Sequence, residues 1–351
     1  MILEVFGGAA IAALTSLIAC RVLISAGPID RPTLARHEHK NPTPTSGGLG
    51  IALGFAAGIM ALALVLPTIV PVEMTTRGAV LLSITASFAY AFLLIGFWDD
   101  THQLGALIKF ALFAALAVAA TLAIGPVDAF PFGTEVRHAP YALALAGTAL
   151  WIFVMVNAVN FMDGANGLAM GSVGIGFVAL GAIAFARDSP ASLAICLCAV
   201  GALLGFLYWN FPSGKLFAGD SGALFIGALA ALASIMIIRR TDLSPLVPAI
   251  IFFPLLADVL VTLAWRVYRR HSLLDGHSEH IYQILIRGGM SHAEIALTYW
   301  AAMAVCGGIG FLVSRDPGVS PWVALPIMAF LAIVISAVVR RFADRRGVGG
   351  V

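Results

Sequence analysis

The segment Gly222-Ala-Leu-Phe-Ile-Gly-Ala-Leu-Ala-Ala-Leu-Ala-Ser-Ile-Met-Ile-Ile238 carries no charge and no polar side chain larger than serine. A bilayer core about 30 Å thick is crossed by about 20 apolar residues in a helix. The run is continuous rather than alternating, which separates it from a barrel strand. It reads as a transmembrane helix. Runs of the same kind fill 2–24, 48–66, 78–98, 107–124, 142–159, 168–186, 191–209, 246–265, 295–313 and 322–339. The sequence therefore predicts an all-α polytopic membrane protein with about eleven transmembrane helices.

Composition agrees. Of 351 residues 60% are hydrophobic and 11% charged, against roughly 25% charged in a soluble domain. So few charges exclude a soluble globular enzyme, a disordered tail and a nucleic-acid binder. The net charge of +2 is too small to indicate a partner. Cys20, Cys196, Cys198 and Cys306 lie in apolar runs, match no zinc or haem spacing, and read as small packing residues. The first run has no positively charged n-region and no evident cleavage site, so it reads as a helix rather than a signal peptide. No polar gap is long enough for a soluble domain, and 1–351 reads as one membrane domain.

An odd number of spans puts the termini on opposite sides. With the N-terminus out and the C-terminus in, 14 of the 20 Lys and Arg residues face the cytosol, as the positive-inside rule requires. The cytosolic loops are then 25–47, 99–106, 160–167, 210–221 and 266–294. Into them fall Lys40, the pair Asp99-Asp100, the cluster Asn157, Asn160, Asp163 and Asn166, then Asp220, His277 and His280.

Acids at the edge of a membrane helix are expensive and usually functional. Asp99-Asp100 can hold Mg²⁺ through one or two oxygens or accept a proton; a solvated helix end is the plain alternative. Asn157-x-x-Asn160-Phe-Met-Asp163-Gly-x-Asn166-Gly supplies paired donors and acceptors suited to a nucleobase, with glycines that admit a ligand to the backbone. Asp220, in Phe217-Ala-Gly219-Asp220-Ser-Gly222, can be an N-cap or a metal ligand. His277-Ser-Glu-His280 is not a zinc motif. Set among Arg266, Arg269, Arg270 and Arg287, it suits phosphate, or anionic headgroups. Lys40 through Gly48 ends in a Gly-Gly helix start that suits phosphate. Asp258, four residues after Pro254, is at least as readily a buried hydrogen-bonding residue as a functional one. Together these residues describe a membrane enzyme that transfers a phosphate-linked group.

The motifs resemble the polyprenyl-phosphate N-acetylhexosamine-1-phosphate transferases. The resemblance rests on Lys40–Gly48, Gly96-Phe-Trp-Asp99-Asp100, Asn157–Ala169, Phe217–Gly222, Pro254 with Asp258, and His277–His292. The last loop lacks the adjacent histidines of the phospho-N-acetylmuramoyl-pentapeptide transferases and is similar to the O-antigen-initiating branch. The resemblance implies a bacterial inner-membrane enzyme, its active site on the cytoplasmic face. It would join UDP-N-acetylhexosamine and undecaprenyl phosphate into undecaprenyl-diphosphate-HexNAc, releasing UMP, with Mg²⁺ as cofactor and Mn²⁺ as the alternative ion. It further implies metal binding by Asp220, Asp99 and Asp100, and catalytic roles for these with Asp163, His277 and His280. Substrate binding falls to Lys40, Lys109, Asn157, Asn160, Asn166, Arg266 and Arg270. A muramoyl-pentapeptide transferase is the enzymatic alternative and an anion transporter the non-enzymatic one; a homodimer stays open.

Overall fold

The computed structural model describes residues 2–26, 29–30, 43–65, 72–132, 135–272, 278–315 and 321–347. Its helices in chain order are α1 (Ile2–Ala26), α2 (Gly47–Val65), α3 (Val72–His102), α4 (Ala106–Ile124), α5 (Tyr141–Phe161), α6 (Leu168–Ala186) and α7 (Pro190–Asn210). There follow α8 (Gly219–Thr241), α9 (Leu246–Ile251), α10 (Phe253–Tyr268), α11 (Ile281–Arg287), α12 (His292–Arg315) and α13 (Pro321–Arg345). Among the described residues ten helices are long and apolar enough to cross a membrane. Helices are what such sequences must form, because lipid offers no partner to an open backbone N–H or C=O.

The predicted span at 246–265 is the one that differs. It divides at Phe252 into α9 and α10, with Pro254 in the first turn of α10. Proline at that position lacks only an N–H that the helix start would leave unpaired anyway. The division gives α10 its own N-terminus and sets Asp258 just over a turn inside it.

Two short antiparallel hairpins interrupt the helical pattern. One pairs β1 (Ile29–Asp30) with β2 (Thr43–Pro44) and the other β3 (Ala129–Phe132) with β4 (Glu135–His138). Phe217 N donates to the Pro44 carbonyl at 2.8 Å, tying the first hairpin to the start of α8.

The core is built around α8, whose side chains from Ser221 to Ile238 are all buried. Small residues bring its neighbours close, as in other membrane bundles. A Cβ on Gly48 would lie 2.2 Å from the Gly222 nitrogen, and one on Gly96 would lie 2.5 Å from the Asp220 carbonyl oxygen. Thus α2 and α3 touch α8 backbone to backbone beside the polar residues. At the periphery, α13 buries only Ser336, Arg340 and Ala343.

Candidate active site

The acids of three helix ends meet. Asp99 is buried in the last turn of α3. Its Oδ1 accepts the Leu104 N–H at 2.6 Å, and its Oδ2 pairs with the Lys109 ammonium from the first turn of α4. The same ammonium donates to Asp220 Oδ2 at 2.9 Å. One cation from α4 therefore joins a carboxylate of α3 to one of α8.

Asp100 has different work. Its Oδ1 accepts the Asp220 N–H at 2.8 Å and its Oδ2 the Ser221 N–H at 3.0 Å. The first amides of a helix lack intrahelical partners and carry the positive end of its dipole. Asp100 thus caps α8 from another helix. Asp220 does not cap α8, which starts one residue earlier with no side-chain cap of its own. This removes the N-cap alternative for Asp220. Gly219 makes the approach possible: its φ is +69°, and a Cβ there would sit 2.8 Å from Asp100 Oδ2. A side chain would be strained and would collide with the cap.

Asp163 lies in the turn between α5 and α6. Burial, and after it the charges of Asp220 and Asp100, raise its carboxyl well above the ordinary carboxylate range. The turn itself is clamped from three sides. Asn166 Nδ2 donates to the Pro212 carbonyl at 3.1 Å and Asn166 N–H to His292 Nδ1 at 3.3 Å. Gly167 N–H donates to Asn210 Oδ1 at 2.6 Å, and Trp300 Nε1 donates to the Gly167 carbonyl at 2.9 Å. Asn160 is half-buried at the end of α5. Asn157, one turn earlier, donates from Nδ2 to the Phe153 carbonyl at 2.7 Å, and its buried Oδ1 has no hydrogen-bond partner among the described residues. That orphaned acceptor fits a ligand donor.

His280 is buried and its Nδ1 lies 3.2 Å from Asp258 Oδ1. A carboxylate only accepts, so Nδ1 carries the proton. Asp258 Oδ1 also accepts the Ile281 N–H at 2.9 Å, while Oδ2 accepts the Tyr282 N–H at 3.1 Å and the Tyr299 hydroxyl at 2.5 Å. Tyr282 in turn donates to the Phe161 carbonyl at 3.2 Å. This places the His280 loop against the end of α5. Arg266 is buried and paired with Glu279 rather than presented as a free cation, whereas Arg270 is exposed. Lys40 and His277, both expected at the site, lie outside the described residues.

Two residues left unassigned by the sequence matter here. Asn210 links α7, through its Nδ2 bond to the Leu216 carbonyl at 2.8 Å, with the start of α6. Asp258 organises the His280 loop; its position inside an apolar run after a proline was the available signal.

A divalent ion suits part of this set. Because one ammonium reaches both Asp99 and Asp220, both carboxylates reach a single cation. Mg²⁺ commonly takes one or two protein carboxylates and fills its octahedron with water and phosphate oxygens. Among the described residues no group of three or more His, Cys, Asp or Glu side chains could hold a metal. Two carboxylates alone would leave the rest of such an ion's shell to water and phosphate oxygens.

The sequence pattern of glycosyl transferase family 4 matches residues 80–238, the stretch that carries Asp99, Asp100, Lys109, Asp163 and Asp220. The chain is 30% identical over 295 residues to the phospho-N-acetylmuramoyl-pentapeptide-transferase of Bacillus mycoides (strain KBAB4), covering 79% of this chain and 83% of that one. It is 29% identical over 326 residues to the probable undecaprenyl-phosphate N-acetylglucosaminyl 1-phosphate transferase of Bacillus subtilis (strain 168), covering 91% and 85%. The chain belongs to the polyprenyl-phosphate N-acetylhexosamine-1-phosphate transferase superfamily.

Proposed function

We propose that the protein transfers a HexNAc-1-phosphate group from a UDP-N-acetylhexosamine, 6-deoxy or not, to undecaprenyl phosphate. An oxygen of the lipid phosphate attacks the β-phosphorus, the bond from that phosphorus to the bridging oxygen breaks, and UMP leaves. The product, undecaprenyl-diphosphate-HexNAc, starts an O-antigen or another cell-envelope glycan. The observation that carries this reading is the Lys109 ammonium joining Asp99 to Asp220 at the meeting of α3, α4 and α8. Family membership favours it over an anion transporter.

Phosphoryl transfer is mostly positioning and charge neutralisation. Asp220 and Asp99 would hold Mg²⁺, which when bound would supply that neutralisation at the diphosphate. Asp100 sets the position of Asp220 by capping α8. Lys109, which bridges the two acids, would place a second cation beside the phosphate oxygens. Asn157, Asn160 and Asn166 read the nucleotide, with Asp163 beside them. His280, with its Nδ1 proton held by Asp258, contacts the diphosphate. The lipid phosphate has a second pKa near 6 and is largely dianionic at neutral pH, so no strong base is needed. With α9 and α10 together forming a broken eleventh span, the enzyme sits in the bacterial inner membrane with its N-terminus outside, its C-terminus inside and this face in the cytoplasm.

The test is UMP release by protein purified in detergent, with undecaprenyl phosphate and Mg²⁺. The donors are UDP-N-acetylhexosamines, their 6-deoxy forms and UDP-N-acetylmuramoyl-pentapeptide. Release that needs both the lipid and Asp220 supports the reading. Turnover of the pentapeptide donor alone transfers the protein to the muramoyl branch. Silence with every donor overturns the proposal.

A further inference from the structure

The buried face of α13 carries a cation, and that cation reaches the His280 loop. Arg340 is 7% exposed. A guanidinium carries only donors, and withdrawing it from water is costly unless those donors are used. Its Nη2 donates to the Glu279 backbone carbonyl at 3.0 Å and to Thr262 Oγ1 at 3.1 Å, and its Nε donates to Ser336 Oγ at 3.3 Å. The Trp265 ring lies 5.2 Å from the guanidinium carbon.

These contacts flank His280. Glu279 is the residue before it, and its carboxylate is fixed by Arg266 and by His271 Nδ1 at 3.3 Å. Thr262 donates in turn to Asp258 Oδ1 at 3.4 Å, the oxygen that faces His280 Nδ1. Arg340 therefore touches the peptide before His280 and, through one hydroxyl, the carboxylate that holds its ring. Simple packing of a peripheral helix needs no charge. A helix that buries only three side chains and spends one on an arginine fixes something other than itself.

We propose that Arg340 is a positioning residue for His280, so that α13 completes the nucleotide-sugar site from outside the stretch that matches the family pattern. The inference rests on the transferase reading above.

The test is a double-mutant cycle on the full-length protein, reading donor KM, kcat and equilibrium UMP binding. Arg340→Met is expected to raise donor KM and weaken UMP binding about tenfold, the scale of one lost charged hydrogen bond, with kcat within about twofold. Arg340→Lys, whose compact ammonium cannot span the Glu279, Thr262 and Ser336 acceptors as the planar guanidinium does, is expected to fall between. The decisive comparison is with His280→Gln. If Arg340 acts through His280, adding Arg340→Met to His280→Gln changes donor KM by less than about twofold, because residues acting on one contact are not additive. Multiplying losses, or an unchanged KM in both Arg340 variants, overturn the proposal. If Arg340→Met does not fold, the cycle is run with Arg340→Lys under the same criteria. Wild-type protein that releases no UMP refutes the transferase reading, a failure seen before any variant is compared.

Discussion

Asp100 and Asp220 lie close together, yet they are expected to fail in opposite ways. Asp100 accepts the first two amides of α8 at 2.8 and 3.0 Å. A hydrogen bond to a charged group contributes about 1.5–3 kcal/mol, and a carboxylate at a helix N-terminus gains up to about 2 kcal/mol more from the dipole in a partly buried setting. Asn at position 100 keeps one accepting oxygen but turns an NH₂ toward the other amide. Asp100→Asn should therefore cost about 2–4 kcal/mol, a melting temperature lower by about 3–5 °C in a chain of this size. The Asp220 side chain meets Lys109, which keeps Asp99 as its partner, and the Asp99 carboxyl itself, a contact that an amide at position 220 can keep. Asp220→Asn should change stability by less than about 1 kcal/mol while abolishing UMP release. The assay is thermal unfolding of both variants in one detergent, paired with UMP release at a temperature where both are folded. Asp100→Asn then retains part of its activity and Asp220→Asn none. An Asp100→Asn protein that melts like the wild type, or an Asp220→Asn protein that melts lower than it, refutes the division into cap and ligand.

Asp163 sets a pH signature. Its raised carboxyl means the folded protein holds that proton more tightly than the unfolded chain does, so stability falls as pH rises from near 3.8 through the raised value. Asp163→Asn should melt higher than the wild type at pH 8, with the gap closing on acidification; a gap that ignores pH contradicts the raised value. Gly96→Ala places a Cβ 2.5 Å from the Asp220 carbonyl oxygen and must part α3 from α8. It should cost about 1–3 kcal/mol in thermal unfolding and reduce UMP release disproportionately by separating Asp99 from Asp220. Arg187 donates to the Thr241 carbonyl at 2.5 Å and the Ser314 carbonyl at 2.6 Å, at the ends of α8 and α12. Arg187→Ala should lower the melting temperature by the equivalent of about 2 kcal/mol and leave donor KM unchanged, a split that thermal and kinetic assays on one preparation reveal.

Length and apolarity made the membrane helices legible, because a bilayer imposes one span length on them all. The break at Phe252 was not: 246–265 is apolar throughout, and proline in a first turn is compatible with one helix or two. The acids and amides could be found because charge inside such a sequence stands out. Their division of labour could not, since Asp100 is defined by amides 120 and 121 residues away. Lys109 was expected to bind substrate; only the arrival of α3 and α8 makes it a bridge between two acids. Asp258 was visible as an anomaly, but its partner His280 is 22 residues on, across the α10–α11 connection. Arg266 shows the reverse error of position. It belongs to a basic loop in the sequence, and folding turns it inward to Glu279.

The complete sheathing of α8 bears on the lipid environment. Helices that face acyl chains tilt or shift when bilayer thickness changes. From Ser221 to Ile238 α8 exposes nothing to those chains. It is also moored at both ends, by Asp100 at the first amides and by Arg239, whose Nη1 donates to the Pro126 carbonyl at 2.7 Å. The rise from Asp220 to Arg239 is about 28 Å at 1.5 Å per residue, close to the hydrocarbon thickness itself. The depth of Asp220 is thus gauged from protein at the opposite surface rather than from lipid. Hydrophobic mismatch falls on α13, and with it on Arg340, before it reaches the carboxylates. Thin and thick bilayers should accordingly differ in how Arg340 meets the His280 loop, while Asp99 and Asp220 stay at one level.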